Sequence, residues 1–287
     1  MKAISSILVS CFVSGAAAAF AQNVVVEAVQ YPAWLERGGR AVPLTPGTAL
    51  QPADELRTGG NARVQLKLAE GSAVKLGENA RFTVERVENR GIFRAALTVV
   101  TGAFRFTTDK LAGARQRDVS IKVRTVTAGI RGTDLWGKSN DARDLVCLLE
   151  GKISVGAEGH PAVTLDQPLD FYQNPRDGSP GVSKVDANQI AEWAKETEIS
   201  ADGPAARAGG RWAVFAAKFP KRDAALELSR RLRAAGYPAE VTTRGTGHAV
   251  RVAGLTGETE ARALMANLRN EPGVTLPEVI EIGANTR

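Results

Sequence analysis

The chain has 287 residues, enough for two ordinary domains. Its 24% charged and 44% hydrophobic content is that of a globular protein and excludes a disordered or fibrous one. The formal charge is +6, and residues 211–287 hold 12 Lys and Arg against 8 Asp and Glu, so +4 of it lies there. That suits weak steering toward a polyanionic or acidic-sugar surface. No basic cluster interleaved with aromatics occurs, so a nucleic-acid partner is not expected.

Residues 1–21 read as a cleaved secretory signal peptide. Lys2 forms the charged region, Ile7–Ala19 the apolar core and Ala19-Phe20-Ala21 the small–x–small site before Gln22. A lipoprotein is the competing reading, because Leu8-Val-Ser-Cys11 fits a lipobox, but the apolar run continues past Cys11. The segment is too short to span a bilayer, and no other is long enough. The expectation is a periplasmic protein whose mature chain keeps one cysteine, Cys147, so stability must come from packing. Cys147 lies in the apolar run Leu145–Leu149 and reads as a small buried hydrophobe rather than a reactive thiol.

Residues 22–176 are expected to form a mostly-β domain. Gln22 to about Pro46 is a lead-in with a first strand at Val24–Val29, and Trp34-Leu35 anchors it to the domain that follows. Arg63–Leu68 alternates, with Val64, Leu66 and Leu68 inward. Strands follow at Ala73–Leu76, Phe82–Val87, Ala96–Val100, Ala103–Thr107, Val119–Val126, Leu145–Leu149 and Lys152–Val155. This spacing, with little helix signal, predicts a β-roll or solenoid, or a sandwich. Side-chain period does not choose among them, and the glycines that follow the turns have no fixed repeat length.

In Arg131-Gly-Thr-Asp134, Gly132 permits a sharp bend, Thr133 and Asp134 bond neighbouring amides, and Arg131 pairs a carboxylate such as Glu150 inside the roll. A ligand or partner contact is the alternative.

Residues 177–209 read as a linker with a short helix. Asp186 caps it, and Ile190, Trp193, Ala194 and Thr197 make one face. The helix is expected to dock on the β-domain with Trp193 in the packing; a partner-binding helix is the other reading. The Ala/Gly-rich tail is expected to leave the two domains free to move.

Residues 210–284 read as strand, helix, strand, strand, helix, strand. Arg211–Phe219 alternates, and Ala225, Leu228, Leu232 and Ala235 stripe the first helix, which Gly236 stops. Ala239–Thr243 and His248–Val252 flank the turn Arg244-Gly-Thr-Gly247. Thr256 is expected to cap a second helix bearing Ala261, Leu264, Met265 and Leu268, and Thr275–Ile282 closes as a strand. A small α+β, ferredoxin-like (βαββαβ) sheet results, with both helices on one face and the other open.

Strand alternation places Val214, Val250 and Val252 under the helices and Phe215, Arg251 and Thr242 on the open face. Lys218, His248 and Arg244 lie near the rim. An exposed aromatic beside hydrogen-bond donors is a saccharide platform. Alternatively, Phe215 packs against the linker or β-domain and hides the face, and Arg251 is a solvated charge.

This stretch resembles the SPOR domain, a family that binds peptidoglycan glycan strands. The family opens aromatic–x–Val–Gln–x–Gly–x–Phe; here it stands as Trp212-Ala-Val-Phe215-Ala-Ala217-Lys-Phe219, followed by Ala225, Leu228, Leu232 and Gly236, then Val250-Arg-Val-Ala-Gly254. Phe215 stands where the family has Gln, and Ala217 where it has Gly. The resemblance implies glycan binding and localisation at the division site; strand alternation and nearness to the rim make Phe215, Lys218, Thr242, Arg251 and His248 the candidate glycan-binding residues.

The β-region resembles the FecR domain. This rests on Gly47-x-x-Leu50, Asp54-x-Leu56-x-Thr-Gly59, Ala62-x-Val64 and Gly71-Ser-x-Val-x-Leu76, then Val123-x-Thr125-x-x-Ala128-x-Ile130-Arg-Gly-Thr133 and Leu148-x-Glu150-Gly-x-Ile-x-Val155. Members named for the iron-transport regulator carry signals from an outer-membrane receptor to a cytoplasmic sigma factor, a role that needs an N-terminal cytoplasmic segment and a transmembrane helix. With neither read here, the resemblance implies only the extracytoplasmic module, often found beside a cell-wall-binding domain.

Little catalytic chemistry is on offer. His160 and His248 lie at unrelated places, and no metal spacing, nucleophile elbow or phosphate loop occurs, so neither enzyme activity nor a metal or cofactor is expected. Asp134 with Glu150 is a weak candidate pair for glycan cleavage among 31 acids. Two readings remain. One is a wall-binding protein whose β-domain engages an unidentified envelope protein. The other is a scaffold or sensor whose SPOR-like face no longer holds glycan.

Overall fold

A computed structural model describes residues 23–108, 117–200, 203–245 and 247–283. The expected signal peptide, with Cys11, and the side chain of Arg244 lie outside the described residues.

Sixteen strands build the N-terminal domain: β1 (Val24–Gln30), β2 (Ala33–Arg37), β3 (Arg40–Pro43), β4 (Glu55–Thr58), β5 (Arg63–Leu68), β6 (Ala73–Leu76), β7 (Arg81–Arg90), β8 (Ile92–Thr107), β9 (Arg117–Val123), β10 (Val126–Ile130), β11 (Asp134–Ser139), β12 (Arg143–Glu150), β13 (Ile153–Ala157), β14 (Val163–Leu165), β15 (Asp170–Pro175) and β16 (Gly181–Lys184). They form two sheets. The first runs β1–β5–β6–β8–β11–β12–β15–β16. The second runs β3–β2–β4–β7–β8–β9–β10–β13–β14. Alternation dictates the core. Val64, Leu66, Phe104, Phe106 and Leu148 of the first sheet and Phe82, Leu97, Val99 and Ile121 of the second are buried in one apolar cluster. The chain passes back and forth between the sheets, mostly two strands at a time, so the domain is a sandwich wound as a roll.

The two strands expected at Ala96–Val100 and Ala103–Thr107 are one strand, β8, shared by both sheets. It pairs with β7 up to Thr101 and with β11 from Gly102 onward. Gly102 makes the crossing: its φ is +89°, and a Cβ there would lie 2.5 Å from the Ala80 Cα. The stretch expected at Val119–Val126 is instead broken by Arg124 at φ +50° into β9 and β10.

The C-terminal domain has the expected order: β18 (Trp212–Phe219), preceded by a short β17 (Ala205–Arg207), then α2 (Arg222–Ala234), β19 (Ala239–Arg244), β20 (Gly247–Leu255), α3 (Glu258–Leu268) and β21 (Glu278–Glu281). A helix α1 (Ala187–Lys195) lies before β17. The sheet is antiparallel, in the order β19–β20–β18–β21. Ala225, Leu228 and Leu232 of α2 and Ala261, Leu264 and Leu268 of α3 are buried in the same core as Val214, Val250 and Val252. Gly236 stops α2 at φ +88°. Gly257, not Thr256, is the N-cap of α3, because the Thr256 hydroxyl donates to the Glu260 carboxylate at 3.2 Å and no side chain caps the helix.

The linker differs from expectation. Asp186 does cap α1, accepting from the Asn188 amide at 2.9 Å. Trp193 stacks on Trp136 with ring centroids 4.7 Å apart, so the helix docks on the first sheet. The tail after it is not slack, because its backbone finds partners on both sides. β17 pairs with β1 (Val29 opposite Ala206) and meets β20 (Ala206 opposite Leu255). The two domains therefore share one hydrogen-bonded sheet.

Trp34 anchors to the C-terminal domain as well as to its own, where Arg57 lies over its ring at 5.2 Å from the centroid. Its indole nitrogen donates to the Ala234 carbonyl at 3.0 Å, and Tyr31 and Tyr237 meet at 6.3 Å. Gly236 leaves the space, since a Cβ there would sit 2.8 Å from the Trp34 ring.

Candidate functional site

The sheet face opposite α2 and α3 carries a row of side chains in cross-strand register. Glu240 of β19 lies opposite Arg251 of β20, Arg251 opposite Phe215 of β18, and Phe215 opposite Glu278 of β21. Cross-strand partners share a face, so the four stand side by side. Phe215 is half-buried and lies outside the apolar core. Arg251 Nε donates to Glu240 Oε1 at 2.6 Å, and its side chain is 21% exposed. On this face Lys218 is exposed, and Phe215, Arg251 and Thr242 are each partly exposed.

A register shift between Phe215 and Ala217 decides what else joins them. Ala216 and Ala217 are both buried, so the strand gains a residue at this bulge. Lys218, three positions on, thereby returns to the side of Phe215, opposite Ala249. Gly247 lets the Lys218 side chain pass, since a Cβ there would collide with it. Thr242 is also opposite Ala249 and half-exposed on this face.

His248 is not brought to this group. It shares strand parity with Val250 and Val252, which pack under the helices, and lies opposite Phe219 and Thr243. Its Nδ1 is 3.1 Å from the Thr243 hydroxyl. Of the five candidates, Phe215, Lys218, Thr242 and Arg251 share the open face and His248 does not. Glu240 and Glu278, which flank the row, were not singled out from sequence. Counting back from the Arg244–Gly247 turn pairs Glu240 with Arg251, so the signal for the first was present.

In the N-terminal domain, Gly132 bends the chain at φ +79°. The Thr133 amide donates to the Thr108 hydroxyl at 3.1 Å, and Asp134 takes Arg105 in a two-point pair at 3.0 and 2.7 Å. Arg131 is exposed rather than inside the roll, at a shallow depression it shares with Asp118, Lys152 and Ser154. Cys147 is fully buried, and burial, with Asp170 adding, pushes its thiol up to about 12. Among the described residues no group of His, Cys, Asp or Glu could hold a metal ion, and no helix is long and apolar enough to cross a membrane.

A family model described as FecR protein matches residues 54–154, and one described as SPOR domain matches residues 208–275. The chain thus carries a FecR domain followed by a SPOR domain. These are envelope-associated, non-catalytic families, and the SPOR domain supports peptidoglycan binding. No curated protein matches the chain.

Two crystal structures from Parabacteroides distasonis ATCC 8503, each of a provisionally assigned anti-sigma factor, are similar in part. One is 16% identical with a TM-score of 0.41, covering 49% of this chain and 64% of its own. The other is 13% identical with a TM-score of 0.41, covering 80% of this chain and 99% of its own.

Proposed function

We propose that this chain is an exported, periplasmic cell-envelope protein that holds the glycan strands of peptidoglycan on the open face of its C-terminal sheet. The N-terminal β-domain presents a protein-facing surface to another envelope protein. The protein acts by binding and catalyses no reaction.

One observation carries this reading: the sheet face away from the helices has a partly exposed aromatic ring at its centre, flanked by the donors of Arg251, Lys218 and Thr242. Sugar rings have apolar faces edged by hydroxyls, so a ring stacked on Phe215 keeps its hydroxyls within reach of those donors. The other reading, a scaffold with a face that no longer holds glycan, draws on Arg251 being already engaged by Glu240.

Co-sedimentation of residues 22–287 with purified peptidoglycan sacculi decides between them. The longer chain is needed because β17 and Trp34 tie the domains together. Binding that weakens in Phe215→Ala and Arg251→Glu supports the glycan face. No binding by the intact chain establishes the scaffold reading, and release of soluble muropeptides would show an enzyme.

A further inference from the structure

The outer face of the first sheet, beneath α1, is built in two halves. One register row runs across five strands as Lys75, Arg105, Trp136, Cys147 and Phe171. Beside it, Lys138 lies opposite both Ala103 and Leu145. Trp136, Cys147, Phe171, Leu145 and Ala103 form an apolar cluster separate from the main core. Lys75, Arg105 and Lys138 make its basic border.

The chain's own α1 matches both halves. Ile190 and Trp193 lie on the apolar cluster, Trp193 also 5.6 Å from Phe171. Glu196 pairs with Lys138 at 2.7 Å; Glu198 pairs with Lys75 at 2.5 Å and with Arg105 at 3.1 Å.

Yet α1 is lightly held. None of its nine residues is buried, and the ion pairs of Glu196 and Glu198, which follow it, are partly exposed, a class of interaction that contributes little each. The indole N–H of Trp136 beneath it is buried without a hydrogen-bond partner among the described residues. A buried donor left unpaired calls for an explanation, and an acceptor from another chain would supply one.

We propose that α1 is a displaceable cover, and that the face beneath it docks a helix of a partner protein. The chemistry of the face defines that helix: an aromatic side chain to stack on Trp136, followed within about one turn by carboxylates for Lys75, Arg105 and Lys138. Residues 196–204 connect α1 to β17, so docking at this face is coupled to the strand joining the two domains. The inference rests on reading the β-domain as the protein-facing half. Its test is read on Cys147 alone, which separates its failure from a failure to bind sacculi.

Cys147 lies under the cover and is the only cysteine of residues 22–287, so a thiol reagent reports when α1 lifts. In the wild-type chain, Cys147 reacts through an opening whose urea dependence is much shallower than that of global unfolding. The double variant Glu196→Lys, Glu198→Lys reacts roughly tenfold faster while its circular dichroism is unchanged. A synthetic peptide of residues 186–199 slows the reaction again; the same peptide with Trp193→Ala does not.

Labelling that requires global unfolding overturns the cover, a result the wild-type chain alone can give if the variant fails to fold. Labelling by local opening that the peptide does not slow overturns the docking face. Labelling that slows with protein concentration assigns the face to α1 of a second copy and overturns the assignment to another protein.

Discussion

Arg251 and Glu240 lie in cross-strand register with Nε 2.6 Å from Oε1, so the cation beside Phe215 is held in place before any ligand arrives. The pair bounds one side of the ring, and Glu278 bounds the other. The face is an apolar centre with fixed polar edges rather than a patch of free positive charge.

Phe215→Ala should weaken sacculus binding by about tenfold, the scale of an aromatic stacking contact. Thermal stability should change little, because Phe215 lies outside the core. Co-sedimentation and a thermal melt on the same sample check both halves of this expectation.

Gly236→Ala should loosen the junction of the two domains. The φ of +88° disfavours a side chain, and its Cβ would meet both Pro32 and the Trp34 ring within 2.9 Å. A loss of about 1–3 kcal/mol in urea unfolding is expected.

Gly102→Ala should cost more, about 2–4 kcal/mol, because strain at φ +89° adds to a clash with the Ala80 backbone. Those atoms are the Ala80 main chain and Cβ, just before β7, and they cannot swing aside because the Ala80 amide and carbonyl are both hydrogen-bonded to Thr58. The midpoint of denaturant unfolding reports the loss.

Asp144 predicts a pH dependence. It is fully buried, and burial by itself raises its pKa. Hydrogen bonds from Arg176, Thr125 and Ser139 outweigh that and hold the folded value below the ordinary carboxylate range. A depressed folded pKa means that this stabilisation is complete above the unfolded value near about 4 and is lost as pH falls through the folded one. Melting temperature should therefore drop below about pH 4, and Asp144→Asn should flatten that drop. At pH 7 the same substitution should cost about 3–5 kcal/mol, since it leaves the Arg176 charge uncompensated.

Much of the C-terminal domain was legible because its signals are local. The stripe of Ala225, Leu228 and Leu232, the stop at Gly236 and the two-residue loop between Arg244 and Gly247 each follow from a short window. Strand parity also separated Val214 from Phe215. Applied to His248, the same parity puts it with Val250 on the helix side, away from the open face. Lys218 reaches that face only through the bulge at Ala216–Ala217, which two alanines do not announce.

The sequence by itself determined the order of elements in the C-terminal domain, the inward residues of β5, β18 and β20, and the two domain families. Those rest on periods of two and 3.6 residues and on short motifs. Tertiary structure decided that β8 serves two sheets, that Trp34 crosses to α2 and that Ala205–Arg207 is a strand between domains. The physical reason is distance along the chain. Residues 205–207 pair with β1, about 175 residues earlier, and Ala206 with β20, some fifty residues later. No local pattern encodes pairing at such separations, so a tail of small residues reads as slack until its partners are seen.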